Sequence, residues 1–103
     1  MTEAKSSGSS RPGKLKNKEI SAELRDTPGW KGRDRRSSIQ RTYQFPSFRA
    51  ALAFVSFVGE LAEDRAHHPD IDIRYNRVTL TLSTHDAGGL TRFDFELARL
   101  IDQ

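Results

Sequence analysis

The chain has 103 residues, 35% hydrophobic and 30% charged, with a formal net charge of +3 and an isoelectric point near 9.6. That is enough for one small domain with a thin stability margin, which a partner subunit would widen. It contains no cysteine, which excludes disulfides, thiol catalysis and cysteine-ligated zinc. No apolar run approaches the roughly 18 residues of a membrane span, and no apolar signal core opens the chain, so a cytoplasmic protein is expected.

Residues 1–16 begin with MTEAKSSGSSRPGK, rich in Ser and Gly and without apolar periodicity, and are expected to be a disordered tail. The domain is expected over 17–103. A short helix is predicted from Lys18 to Arg25, with Ile20 and Leu24 one turn apart, stopped by Thr27-Pro28-Gly29. Trp30 opens a strand that turns through KGRDRRSS into IQRTYQF, where Ile39, Tyr43 and Phe45 share a face and Arg41 interrupts it. Much of the positive charge lies in this half, before Gln44. It reads as a solvated tail and loop, with weak phosphate binding as the rival reading.

Ser47 is a good N-cap for the main helix, FRAALAFVSFVGELAEDRA. Phe48, Leu52, Val55, Val58 and Leu61/Ala62 recur at helical spacing, while Phe54 and Phe57 fall off that stripe, so more than one face has something to bury. After Pro69 the period changes to two. Ile71, Ile73 and Tyr75 alternate with polar residues, then Val78, Leu80 and Leu82 do the same, with a hairpin turn expected at Asn76-Arg77. Asp86-Ala87-Gly88-Gly89 is a loop. Thr91 followed by Asp94 fits a capping box for a last helix whose apolar face is Phe93, Leu97 and Leu100/Ile101. The order helix, two strands, helix, two strands, helix predicts an α+β fold, one antiparallel sheet with its helices on one face.

The three histidines are His67 and His68, adjacent in EDRAHHPD, and His85 in STHDAGG. Neighbouring histidines on an extended backbone splay apart, which argues against a shared metal. Imidazole exchanges protons near neutral pH, so acid–base chemistry is the second reading, with Glu63 one helical turn away as a support. Surface histidines without a task are the third. The residues alone leave these open.

The order Glu63, His67-His68-Pro69, Tyr75-Asn76-Arg77-Val78, then TLTLSTHDAGGL with His85, and finally Asp94, resembles the pterin-4a-carbinolamine dehydratase family. Gly29-Trp30 and FPSFRAALAFV match it in kind and order, so the resemblance covers residues 17–103. It implies three helices and a four-stranded antiparallel sheet. It also implies removal of water from a 4a-hydroxytetrahydropterin, the adduct that aromatic amino acid hydroxylases leave, to give quinonoid dihydropterin. No metal and no cofactor are implied.

By that resemblance His67 and His85 are acids at the C4a hydroxyl, and His68 positions the pterin or acts as base. Glu63 supports the histidines, Ser83 and Thr84 offer polar contacts to the ring, and Asp94 either contacts substrate or caps its helix. Two positions depart from the family pattern. Ala66 stands where an acidic residue is common, and Ile71 where a tryptophan is. The resemblance also implies a homodimer or homotetramer, with no membrane and no specific nucleic-acid partner. Its rival is a dehydratase fold kept as a dimerisation or assembly partner.

Overall fold

The computed structural model describes residues 13–103. Residues 1–12, most of the stretch expected to be a tail, lie outside the described residues. The elements are α1 (Asn17–Asp26), β1 (Lys31–Arg33), β2 (Ser38–Gln44), α2 (Phe48–Arg65), β3 (Asp70–Arg74), β4 (Arg77–Leu82) and α3 (Arg92–Ile101), with a 3-10 turn at His85–Ala87. The strands form one antiparallel sheet in the order β1-β2-β4-β3. This is the α+β order that the sequence predicts. Ahead of α1, Leu15 packs on the core and its N–H donates to the carbonyl of Leu90 at 2.8 Å.

The alternation along β2 and β4 separates the two faces of the sheet. Ile39, Val78, Leu80 and Leu82 are fully buried under the helices, which bring Ile20, Ala51, Val58, Phe95, Leu97, Ala98 and Ile101 to the same core. Each large apolar side chain buried there stabilises the fold by about 1.5–3 kcal/mol. The other face is polar and bridged across strands, Gln40 Nε2 to Thr81 Oγ1 at 3.0 Å and Thr42 Oγ1 to Thr79 Oγ1 at 2.8 Å. Ser47 caps α2 by accepting from the N–H of Ala50, and Thr91 with Asp94 forms the capping box of α3.

The structure moves three local expectations and accounts for a fourth. The β3–β4 turn is Tyr75-Asn76, closed by the pair Arg74–Arg77, with Tyr75 at φ 55°. Period-two patterning locates a turn only to within a residue or so when both flanks are polar. The buried residues of α3 centre on Phe95, Leu97, Ala98 and Ile101, and Phe93 turns toward the histidines instead. In α2 the core side is Ala51, Val58 and Ala62 with Phe54, Val55 and Leu61 beside them, leaving Phe48 and Leu52 exposed. Small alanines let the helix approach the sheet, and a reading weighted to large residues misses them. Arg41 stays on the apolar face of β2 because its guanidinium lies over the Tyr43 ring, 4.7 Å from the centroid, and reaches the carbonyl of Pro28 and Asp102.

Candidate active site

Two chain reversals bring the histidines together. Helix α2 ends at Ala66 in the left-handed region (φ 52°, ψ 39°), its N–H bonded back to the carbonyls of Ala62 and Glu63. The N–H of His67 then bonds to the carbonyl of Ala62 at 3.1 Å, so the last turn is closed and His67 and His68 leave the helix at a fixed angle. Beyond β4, Thr84 and Gly89 exchange backbone hydrogen bonds at 3.0 and 3.3 Å around the turn His85–Ala87, and Gly88 takes φ 76° to end it. A left-handed residue there suits glycine, which has no Cβ to clash. That closed loop holds His85 opposite the end of α2.

His67 Nε2 lies 2.6 Å from Oδ1 of Asp94, a side chain with no exposure to solvent. Oδ2 of Asp94 accepts from Thr84 Oγ1 at 2.8 Å and from the N–H of Thr91 at 2.9 Å, and the Thr84 and Thr91 hydroxyls are bonded to each other at 2.8 Å. A buried carboxylate is tolerated when its lone pairs are met in this way. An ionised carboxylate only accepts, so Nε2–H of His67 is the donor and Nδ1 is the ring nitrogen left over. His68 pairs differently, through Nε2 with Glu63 Oε2 at 2.6 Å near the surface. His85 makes no hydrogen bond from its ring among the described residues.

A cleft of about 480 Å³ is walled by His67, His68, His85, Ser83, Thr84 and Phe93. The Phe93 ring sits 5.9 Å from that of His67, centroid to centroid. A second cleft of about 380 Å³ adjoins it and shares His68, Ser83 and His85 as walls. Among the described residues, no group of three His, Asp or Glu side chains has the geometry to hold a metal ion. No described helix is long and apolar enough to cross a membrane.

All seven residues singled out from the sequence gather around this region, in distinct positions. His67, His68, His85, Ser83 and Thr84 line the cleft. Asp94 stands behind His67, and Glu63 behind His68. The hydroxyl of Thr84 is taken up by Asp94 and Thr91, and that of Ser83 donates to the carbonyl of Ser37 at 2.8 Å. Of the two roles considered for Asp94, the cap of α3 is the one its geometry makes, through Oδ2, while its other oxygen faces His67 and the buried carboxylate is not a wall of the cleft. Sequence reasoning missed Phe93 as a wall of the cleft. Its position between the cap Thr91 and Asp94 was the available signal, because the first turn of a helix capped by a site carboxylate lies beside that site.

An α+β domain with an imidazole cleft at one end of an antiparallel sheet defines a class, and comparison with known proteins narrows it. The family profile described as pterin 4 alpha carbinolamine dehydratase matches residues 13–103. A Roseiflexus sp. (strain RS-1) protein named "Putative pterin-4-alpha-carbinolamine dehydratase" is 52% identical over 90 residues, 87% of this chain and 95% of its own length. One of the same name from Nocardia farcinica is 52% identical over 89 residues, covering 86% and 92%. The crystal structure of a transcriptional coactivator/pterin dehydratase from Brucella melitensis superposes with a TM-score of 0.84 at 36% identity, covering 87% of this chain and 96% of that one. A pterin dehydratase-like protein identified as a RuBisCO assembly factor in the alpha-carboxysome, 21% identical with a TM-score of 0.63, shares the fold, covering 72% of this chain and 86% of its own. The chain belongs to the pterin-4a-carbinolamine dehydratase family.

Proposed function

We propose that this protein dehydrates 4a-hydroxytetrahydropterin to quinonoid dihydropterin, with His67 and His85 as the groups that exchange protons with the substrate. The observation that carries this reading is the His67–Asp94 pair at the wall of a cleft that His68 and His85 also line. In the reaction the C4a–O bond breaks, the oxygen leaves as water after gaining a proton, N5 loses its proton, and a C4a=N5 double bond forms. Hydroxide leaves poorly from carbon, so protonation of the oxygen during cleavage lowers the barrier, and general acid–base help of this kind is worth about 10²–10⁴-fold. Asp94 fixes the ring and tautomer of His67 and leaves Nδ1 for that exchange. Glu63 holds His68 against the rim, where His68 orients the pterin or relays the N5 proton. Phe93 supplies an apolar wall for a flat heterocycle.

The adduct is the species released by aromatic amino acid hydroxylases, so recycling their tetrahydropterin is the role this reading assigns. It also includes assembly into a homodimer or homotetramer, supported by the exposed Phe48, Leu52, Phe57, Ile71 and Ile73. The test is stopped-flow absorbance of chemically generated 4a-hydroxytetrahydropterin, in the presence of a chelator, with wild type, His67→Ala and His85→Ala. Acceleration by wild type that either substitution removes is the expected result. Decay no faster than the spontaneous rate would overturn the reading.

A further inference from the structure

We propose that Thr84 and Thr91 are positioning residues for the reaction: their hydroxyls form a one-way chain of hydrogen bonds that orients Asp94 and, through Asp94, holds His67 with its proton on Nε2. The inference rests on the dehydratase reading and deepens it. Neither threonine needs to touch the substrate. Thr91 is fully buried and is not a wall of either cleft. Thr84 does wall the imidazole cleft, but its polar atoms are engaged within the protein. Its N–H donates to the carbonyl of Gly89 at 3.0 Å, and its own carbonyl accepts from the N–H groups of Ala87 and Gly89 at 3.0 and 3.3 Å. Its hydroxyl is turned to Asp94.

The direction of the chain follows from counting protons. An ionised carboxylate only accepts, so the 2.8 Å contact of Thr84 Oγ1 with Asp94 Oδ2 uses the one proton of the Thr84 hydroxyl. In its 2.8 Å contact with Thr91 Oγ1, Thr84 is therefore the acceptor and Thr91 the donor. Thr91 Oγ1 in turn accepts from the N–H of Phe93 at 3.2 Å. The donors run in one order, Phe93 N–H, Thr91 O–H, Thr84 O–H, and end on Asp94 Oδ2. Each polarises the next.

Asp94 needs this support because of where it sits. Its side chain has no exposure to solvent, and among the described residues His67 is its one ion-pair partner. No lysine or arginine there offsets its charge, so neutral donors must do so. Two act on Oδ2, the Thr84 hydroxyl and the N–H of Thr91, and they leave Oδ1 facing His67 Nε2 at 2.6 Å. Without the Thr84 hydroxyl a single donor remains on Oδ2, and the carboxyl group is free to turn about it. His67 then loses the acceptor that keeps its proton on Nε2 and leaves Nδ1 for exchange with the substrate.

The test compares wild type with Thr84→Val, Thr91→Val, the double variant, and the hydroxyl-keeping Thr84→Ser and Thr91→Ser, each shown by urea denaturation to be folded under the assay conditions. Thr84→Ala carries the same expectations as Thr84→Val, should the valine variant fail to fold. NMR of isotope-labelled histidine reports which ring nitrogen of His67 is protonated and how fast that proton exchanges with water. The kcat and KM for a 4a-hydroxytetrahydropterin are measured alongside. Wild type is expected to show His67 protonated on Nε2, with slow exchange. Thr84→Val should speed the exchange and lower kcat by about tenfold each, the worth of one hydrogen bond to a charged group. KM should stay within about twofold, since the hydroxyl does not bind substrate. Thr91→Val should act in the same direction by about threefold, and the double variant should be no worse than Thr84→Val, because the hydroxyls act in series. Both serine variants should remain within about twofold of wild type. An unchanged His67 signal in Thr84→Val, a loss in KM rather than kcat, or additive losses in the double variant would overturn the proposal. A His67 signal that responds to the threonines in a protein without turnover would support the positioning and sink the dehydratase reading instead.

Discussion

Oδ1 of Asp94 lies 2.6 Å from Nε2 of His67, while Oδ2 of the same fully buried carboxylate accepts from Thr91 N–H and Thr84 Oγ1. One side chain therefore starts helix α3, closes the Thr84–Gly89 loop against that helix, and sets the ring of a cleft histidine. Removing it and reshaping it should have different consequences.

Asp94→Ala leaves the His67 N–H, the Thr91 N–H and the Thr84 hydroxyl without their acceptor. The expected loss is about 3 kcal/mol or more of unfolding free energy, since each buried group left unmet costs about 1–3 kcal/mol. Urea denaturation measures it. Asp94→Asn keeps the shape and one acceptor oxygen, so the cap survives at smaller cost, but its amide presents donors toward His67. Turnover should then fall by roughly 10²-fold, the lower end of general acid–base assistance. An Asp94→Asn protein with wild-type turnover would show that the pair is only structural.

Ala66 ends α2 in the left-handed region, where an L-residue other than glycine pays about 1 kcal/mol or more. Ala66→Gly should therefore raise stability by about 1 kcal/mol, less the extra entropy of glycine in the unfolded chain. The increase appears as a higher urea midpoint at constant slope. A lowered midpoint would mean that the Ala66 methyl makes contacts worth more than the strain.

Much of this arrangement was legible in the sequence because it is local. Ser47 as a cap, the helical period of α2 and the alternation of β4 are each written in a window of a few residues, though which face of α2 is buried is not. So is the Thr91–Asp94 box, which the structure reproduces. The pairing of Asp94 with His67 spans 27 positions, and nothing in either window signals it. The same holds for Asp34, whose turn reads only as basic and polar yet lies across the sheet from β3. Phe95 is the plainest case. Beside Phe93 it looks equivalent by composition, and only the packing of α3 on α2 decides that one fills the core and the other walls the cleft.

Phe48, Leu52 and Phe57 on α2 are 47%, 42% and 45% exposed, and Ile71 and Ile73 on the edge strand β3 are 38% and 36% exposed. Apolar groups left in water on a helix face and beside an unpaired strand edge favour burial against another copy. Wild type should sediment as a dimer or tetramer at micromolar concentration. Phe48→Glu with Leu52→Lys should shift it toward a smaller species without altering the fold, because neither side chain is part of the core. A monomeric wild type would overturn the assembly reading.

Asp102, past the end of α3, gathers three donors from elsewhere in the chain. Trp30 Nε1 reaches it at 2.7 Å, Arg41 at 3.0 Å, and the Tyr43 hydroxyl donates to its other oxygen. Burial, the hydrogen bond to Asp102 and the carboxylate's charge together hold the Tyr43 phenol protonated far above its usual range, against a smaller opposing pull from Arg41. An unfolded tyrosine loses its proton near pH 10.0. Above that pH the unfolded chain binds fewer protons than the folded one, so stability falls as pH rises. The contribution is complete below about pH 10 and is lost as pH climbs toward the folded value. Tyr43→Phe should lower the melting temperature at neutral pH by the worth of one hydrogen bond, about 1 kcal/mol, and flatten the alkaline decline. Melting curves of both proteins from about pH 8 to about pH 11 decide it. Convergence of the two toward high pH is the expected outcome, and parallel declines would mean that other groups set the alkaline limit.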